Sequence, residues 1–192
     1  MADIDQIYSF VFRGLLVDAR LDANGRKKNK ILNATEIQEL RRSLNFDLLD
    51  QEILTDAQRM SHVYIAIHAL ENMIRSYVSK TLFDEYGESW WEKVPEKIQK
   101  IVAARMSEDE KLRWHSSRGK SEIMYSDFGD LQSIVYANWP LFSDTLLSHE
   151  WMKQVLTTLE KSRNVVMHGG VLDRIDIERI GINIRDWLRQ VE

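Results

Sequence analysis

Arg163, Asn164 and His168 stand together in the segment Glu160-Lys-Ser-Arg-Asn-Val-Val-Met-His-Gly-Gly170. On a helix, the five residues from Arg163 to His168 amount to about 140° of rotation and about 7.5 Å of axial rise. The two do not share a face. An arginine nevertheless has the reach to curl back toward a histidine, and the two glycines let the helix end there. Asn164 and His168 are four apart and do share a face. An amide so placed orients an imidazole, which is how a working histidine is usually held. The chemistry this trio suits is metal-free cleavage of RNA, in which the ribose 2′-OH attacks the adjacent phosphate. That reaction needs a base for the hydroxyl proton, an acid for the leaving 5′-oxygen and a cation for the charge building on phosphorus. Histidine titrates near neutrality and serves as base or acid, and arginine offers a charged fork to phosphate oxygens. One histidine does not easily play both proton roles in one step, whereas a twofold dimer brings two copies of the pair together.

The spacing alone is common, and a plainer reading stands beside the chemical one. Arg163 could pair with Glu160 across one turn, and His168 could be a helix-end residue favoured by the helix dipole. Other residues carry weaker signals. His62, His68 and Glu71 can be drawn as a metal site, but they lack a fourth ligand in suitable spacing. The run Arg26, Lys27, Lys28, Lys30 could meet RNA phosphates, although short charged loops are usually just solvated. Lys161 and Arg174 flank the box with Lys153, offset by Glu150, Glu160 and Asp173. The six tryptophans could stack on bases, but at helix positions they are far more often core.

The elements that must position these groups are helical. Only 2 prolines and 8 glycines in 192 residues favour long helices over a many-turned β architecture. Hydrophobic residues at 44% and charged residues at 29% exclude disorder as the overall state. A net charge of −4 excludes a generally basic nucleic-acid binder, so any polyanion site is local. The absence of cysteine removes disulfides, thiol chemistry and Cys-ligated metals. The first residues carry Asp3 and Asp5 where a signal peptide needs positive charge, and no run of 18 apolar residues occurs. The expectation is a cytoplasmic protein with no membrane association.

Apolar periodicity predicts a helix over 4–19, then a stop at Asp22-Ala-Asn-Gly25. Asn33-x-x-Glu36 reads as a capping box opening a short helix through Leu44, and another short helix covers about 47–54. A long helix from about 56 to 86 follows, with Thr55 as N-cap and Gly87 ending it; its middle, apolar nearly all round, belongs at the centre of the core. Pro95 opens a helix to about Trp114, and 115–121 is a loop. Ile123–Tyr125 reads as extended, and Ser126 or Asp127 caps a helix through Val135. Ser148 caps a helix over 149–168, and Asp173 caps the last, 174–190.

His62-Val-Tyr-Ile-Ala-Ile-His-Ala-Leu-Glu-Asn72, Tyr86-Gly-Glu-Ser-Trp-Trp-Glu92, Val94-Pro-Glu-Lys-Ile98, Tyr125-Ser-Asp-Phe-Gly-Asp-Leu131, Asn138-Trp139 and Arg185-Asp-Trp-Leu188 carry a resemblance. With the Arg163-Asn164-x-x-x-His168 box in the penultimate helix, the chain from about 58 to 191 resembles the Swt-type HEPN (higher eukaryotes and prokaryotes nucleotide-binding) domain. The resemblance implies an all-α, HEPN-type helical bundle over 58–192, with residues 1–57 as an N-terminal helical appendage. It implies a metal-independent endoribonuclease that needs no cofactor and cuts single-stranded RNA as a homodimer. His168 would be the general acid/base, Arg163 the phosphate and transition-state stabiliser and Asn164 the orienter. Such sites often receive a polar residue from an upstream helix, here Glu71 or Asn72; the plainer possibility is that these two satisfy each other or a buried helix end within the core. The setting implied is toxin–antitoxin, phage defence or RNA surveillance, with an antitoxin or effector protein as further partner. The alternative is a non-catalytic module that binds RNA or nucleotide or regulates a partner nuclease.

Overall fold

The computed structural model describes residues 11–14, 16–17, 20, 32–146 and 148–191. Most of the helix expected over 4–19, and the basic run with Lys27 and Lys28, lie outside the described residues. The chain separates into two compact units, Met1–Leu49 and Asp50–Glu192. In the first, α1 (Ala34–Ser43) opens with the expected capping box: Asn33 Oδ1 accepts from the backbone of Thr35 and Glu36, and Glu36 reaches back to the Asn33 N–H. A short 3₁₀ turn, Phe46–Leu48, follows.

The second unit is built on α2 (Gln51–Tyr86), 36 residues long and so about 54 Å from end to end. It begins earlier than the spacing predicts. Asp50, not Thr55, is the N-cap, taking the N–H groups of Glu52 and Ile53. Thr55 turns its hydroxyl back onto the Gln51 carbonyl inside the helix, and residue 57 lies within that same helix. Met60, Val63, Ile67, Leu70, Ile74, Val78 and Leu82 form its buried stripe at spacings of three and four. The helix is not buried all round: Tyr64, Ile65 and Met73 in its middle are exposed. Its neighbours cover one side only.

The other helices of the unit are α3 (Glu96–Lys111), α4 (Phe128–Ala137), the short α5 (Ser143–Leu146), α6 (His149–Met167) and α7 (Arg174–Val191), of which α4, α6 and α7 pack directly on α2. Ile98 and Val102 of α3, Leu131, Ile134 and Val135 of α4, Met152, Leu156 and Leu159 of α6, and Ile180 and Trp187 of α7 complete the core with α2. Ile123–Tyr125, expected as extended, belongs to a 3₁₀ turn, Glu122–Tyr125, in which Ile123 and Tyr125 turn inward. Trp90 and Trp91 lie in the 3₁₀ turn Gly87–Lys93, where both pack on the core and meet each other edge to face. Trp114 departs from the core expectation: α3 ends at Lys111, and Trp114 is 82% exposed in the loop beyond it. The described residues are all-α, with no strand among them, and no described helix is long and apolar enough to cross a membrane.

Candidate active site

The box sits at the C-terminal end of α6, and local sequence fixes how that helix ends. Ser148 caps the start by accepting the Trp151 N–H. At the far end His168 is the C-cap. Gly170 N donates to the Val165 carbonyl at 2.8 Å and Gly169 N to the Val166 carbonyl at 3.1 Å, a Schellman closure. Gly169 has φ of +76°, which an L side chain resists. A Cβ on Gly170 would lie 2.7 Å from Val165 Cγ1 and 2.9 Å from its carbonyl oxygen. Both glycines are therefore needed to present His168 where it stands, exposed at the last turn.

Arg163 Nη1 donates to Asn164 Oδ1 at 3.3 Å. Asn164 is thus engaged with the arginine, and the His168 imidazole has no hydrogen-bond partner among the described residues. No ion pair joins Arg163 to Glu160, though the arginine is near enough to favour that carboxylate. Lys161 is exposed on α6, and Arg174 donates to Glu178 at 2.7 Å on the surface of α7.

Behind the box lies a buried polar network that sequence reading captures only in part. Glu71 is buried and paired with Arg75 one turn on. Arg75 also donates to the Ser126 carbonyl from Nε at 3.1 Å and Nη2 at 2.7 Å, and from Nη1 to Asn72 Oδ1 at 3.1 Å. Glu71 and Asn72 therefore take Arg75, not Arg163, as direct partner. Arg105 of α3 holds the neighbouring carbonyl, that of Tyr125, along with Asp127 and Asp130, the capping box of α4. The two arginines thereby fix the entry to α4. Asp127 then faces Glu160, both within 4 Å of where a Gly129 Cβ would be. Burial first, then the Asp127 charge, push the Glu160 carboxyl above its ordinary pKa, while Arg163 draws it down. The Glu71-x-x-x-Arg75 spacing is a readable helical pair. Arg105 gives no local signal, because its partners lie 20 to 25 residues on.

Among the described residues no group of three or more histidines and carboxylates is placed to hold a metal ion, so His62, His68 and Glu71 do not converge. Beside His168, a groove of about 660 Å³ runs between the first turns of α2 and the glycine turn. Its walls are mostly apolar: Ile53, Met60 and Tyr64 on one side, Met167 and Val171 on the other.

An all-α unit carrying an arginine–histidine box on its penultimate helix, backed by polar residues of a long upstream helix, is a HEPN-type domain. The chain belongs to the Swt1-like HEPN family, whose model matches residues 66–192, more than half of its length. HEPN domains serve nucleotide- or RNA-related functions, often as ribonucleases. Comparison with curated proteins and with solved structures gives no match.

Proposed function

We propose that the protein is a metal-independent endoribonuclease that cuts single-stranded RNA as a homodimer. The observation that carries this reading is the intact Arg163-Asn164-x-x-x-His168 box at an exposed helix end within the family match. The 2′-OH attacks phosphorus, His168 of one protomer takes its proton, and the leaving 5′-oxygen receives a proton from His168 of the other. Arg163 offers its guanidinium to the phosphate oxygens as charge builds. Asn164 holds the Arg163 guanidinium and, with RNA bound, is also in reach to orient the imidazole.

The dimer is supported by exposed apolar side chains next to the box. Ile53, Met167 and Val171, which line the groove, and Ile175 beyond it are each at least half exposed among the described residues. The biological setting proposed is toxin–antitoxin, phage defence or RNA surveillance, with an antitoxin or effector protein as partner. One observation favours the second reading, a non-catalytic RNA- or nucleotide-binding or regulatory module: among the described residues no side chain orients His168.

The test is incubation of the wild-type protein with single-stranded RNA in excess EDTA. Products ending in 2′,3′-cyclic phosphate and 5′-hydroxyl are expected. Cleavage that stops on chelation, or that leaves 3′-hydroxyl ends, would overturn the mechanism.

A further inference from the structure

Tyr64, His68, Asn72 and Arg75 form a ladder along one stripe of α2, and each rung fixes the next. Arg75 is the anchor, buried and bonded to both Glu71 and the Ser126 carbonyl. Its free arm, Nη1, donates to Asn72 Oδ1. A guanidinium only donates, so the oxygen of the Asn72 amide must face Arg75 and its NH₂ must face away. That NH₂ finds two acceptors: the His68 carbonyl at 2.9 Å and His68 Nε2 at 3.1 Å. Nε2 therefore holds the lone pair and Nδ1 the proton. The ring also lies against Tyr64, with centroids 5.4 Å apart and planes at 25°. Although Tyr64 and Asn72 hold the ring, His68 is exposed, and its Nδ1–H has no acceptor among the described residues. A buried ion pair thus sets the tautomer and plane of a surface imidazole and leaves one donor that no described residue takes up.

The position of that donor follows from helix register. Leu172 N donates to Met60 Sδ at 3.3 Å, and Tyr64 and Met167 line the same groove. Further along, Glu160 feels the charge of Glu71. α2 and α6 therefore run antiparallel. His68 lies one turn beyond Tyr64, and Arg163 lies one turn before Met167. The two are level on facing helices, between the groove and the buried network.

We infer that His68 is a second RNA-contacting residue, donating its Nδ1–H to a non-bridging oxygen of the phosphate that Arg163 holds. The identity of the ligand rests on the ribonuclease reading above. The role is that of a hydrogen-bond donor: Asn72 occupies Nε2, and no proton leaves Nδ1 during the reaction. The bond strengthens as negative charge accumulates on the phosphate oxygens. Proton transfer stays with the two copies of His168.

Single-turnover cleavage of a single-stranded RNA across the titration range of histidine tests this, for wild type, His68→Ala and His68→Asn. The Asn amide nitrogen takes roughly the place of Nδ1. His68→Ala is expected to slow cleavage about 10- to 100-fold at every pH, leaving the shape of the profile unchanged, as loss of a bond to a charged oxygen should. His68→Asn is expected to keep most of the rate. A wild-type rate in His68→Ala, loss of one limb of its profile, or no advantage of Asn over Ala would overturn the inference. Affinity for a non-cleavable 2′-deoxy analogue separates the two readings. If wild type binds the analogue without cutting RNA, the ribonuclease reading falls; a several-fold weaker His68→Ala then upholds the phosphate contact, and equal affinity overturns it. If wild type neither binds nor cuts, both fall.

Discussion

Arg163 stands between two demands: the phosphate it would bind and the Glu160 carboxylate it already favours. Its fork, more than its charge, matters for the first. Arg163→Lys should therefore lose nearly as much cleavage as Arg163→Ala, because an ammonium cannot grip two phosphate oxygens in one plane. Asn164→Ala should be milder, since it removes neither the charge offered to the phosphate nor a group that carries a proton. If Arg163 were only a surface residue, either replacement would change stability by less than about 1 kcal/mol and leave the rate alone; retained activity in Arg163→Lys contradicts the assigned role. Glu160 gives a pH signature. Burial and Asp127 raise its pKa in the folded chain, so the folded state holds the proton more tightly than the unfolded. The stability this gives is complete below the ordinary carboxylate pKa and is lost as pH rises through the raised value. Glu160→Gln keeps the shape without the charge. Its melting temperature should exceed that of wild type near neutrality, and the gap should close in acid. A gap independent of pH would show that the carboxylate is not strained.

At the scale of elements, the end of α6 is the feature on which the site depends. Gly170→Ala must push its Cβ against Val165 or move the turn that carries His168. It should lower stability by about 1–3 kcal/mol, as overpacking does, and slow RNA cleavage further than the lost stability explains. Gly181→Ala is the control: its Cβ meets nothing within 4 Å on α7, so it should be neutral or stabilising by about 0.5–1 kcal/mol. Equal effects of the two on cleavage would sever the turn from the site. The glycine turn was legible in the sequence, as were the caps at Asn33, Ser148 and Asp173, because capping is settled by residues within one turn. The start of α2 was not. Asp50 and Thr55 are both able caps, and the helix takes the earlier one, with Leu54 buried inside its first turns. Nor could the sequence show that Arg75 and Arg105 share the entry to α4. They grip carbonyls 51 and 20 residues away, and non-local bonds leave no periodicity. The box itself could be read as a box, but not the partner Asn164 takes within one chain. Arg163, adjacent in sequence, reaches the amide that helical spacing assigns to His168.

The whole molecule is where the two proton roles must be reconciled with one His168 per chain. The proposed homodimer through the groove beside the glycine turn would supply both. Light scattering at micromolar concentration should give about twice 22.6 kDa, and Met167→Glu, placing a charge on the groove wall, should shift the mass toward one chain. A wild-type mass of 22.6 kDa at that concentration counts against the composite site. The central claim, that His168 moves protons in RNA cleavage, is tested most directly by the single-turnover rate of His168→Ala on single-stranded RNA in EDTA, with its melting curve recorded alongside. A loss of about 10²–10⁴ in rate, with melting unchanged because the side chain is exposed, is the predicted result; cleavage at the wild-type rate by a folded His168→Ala protein would contradict it.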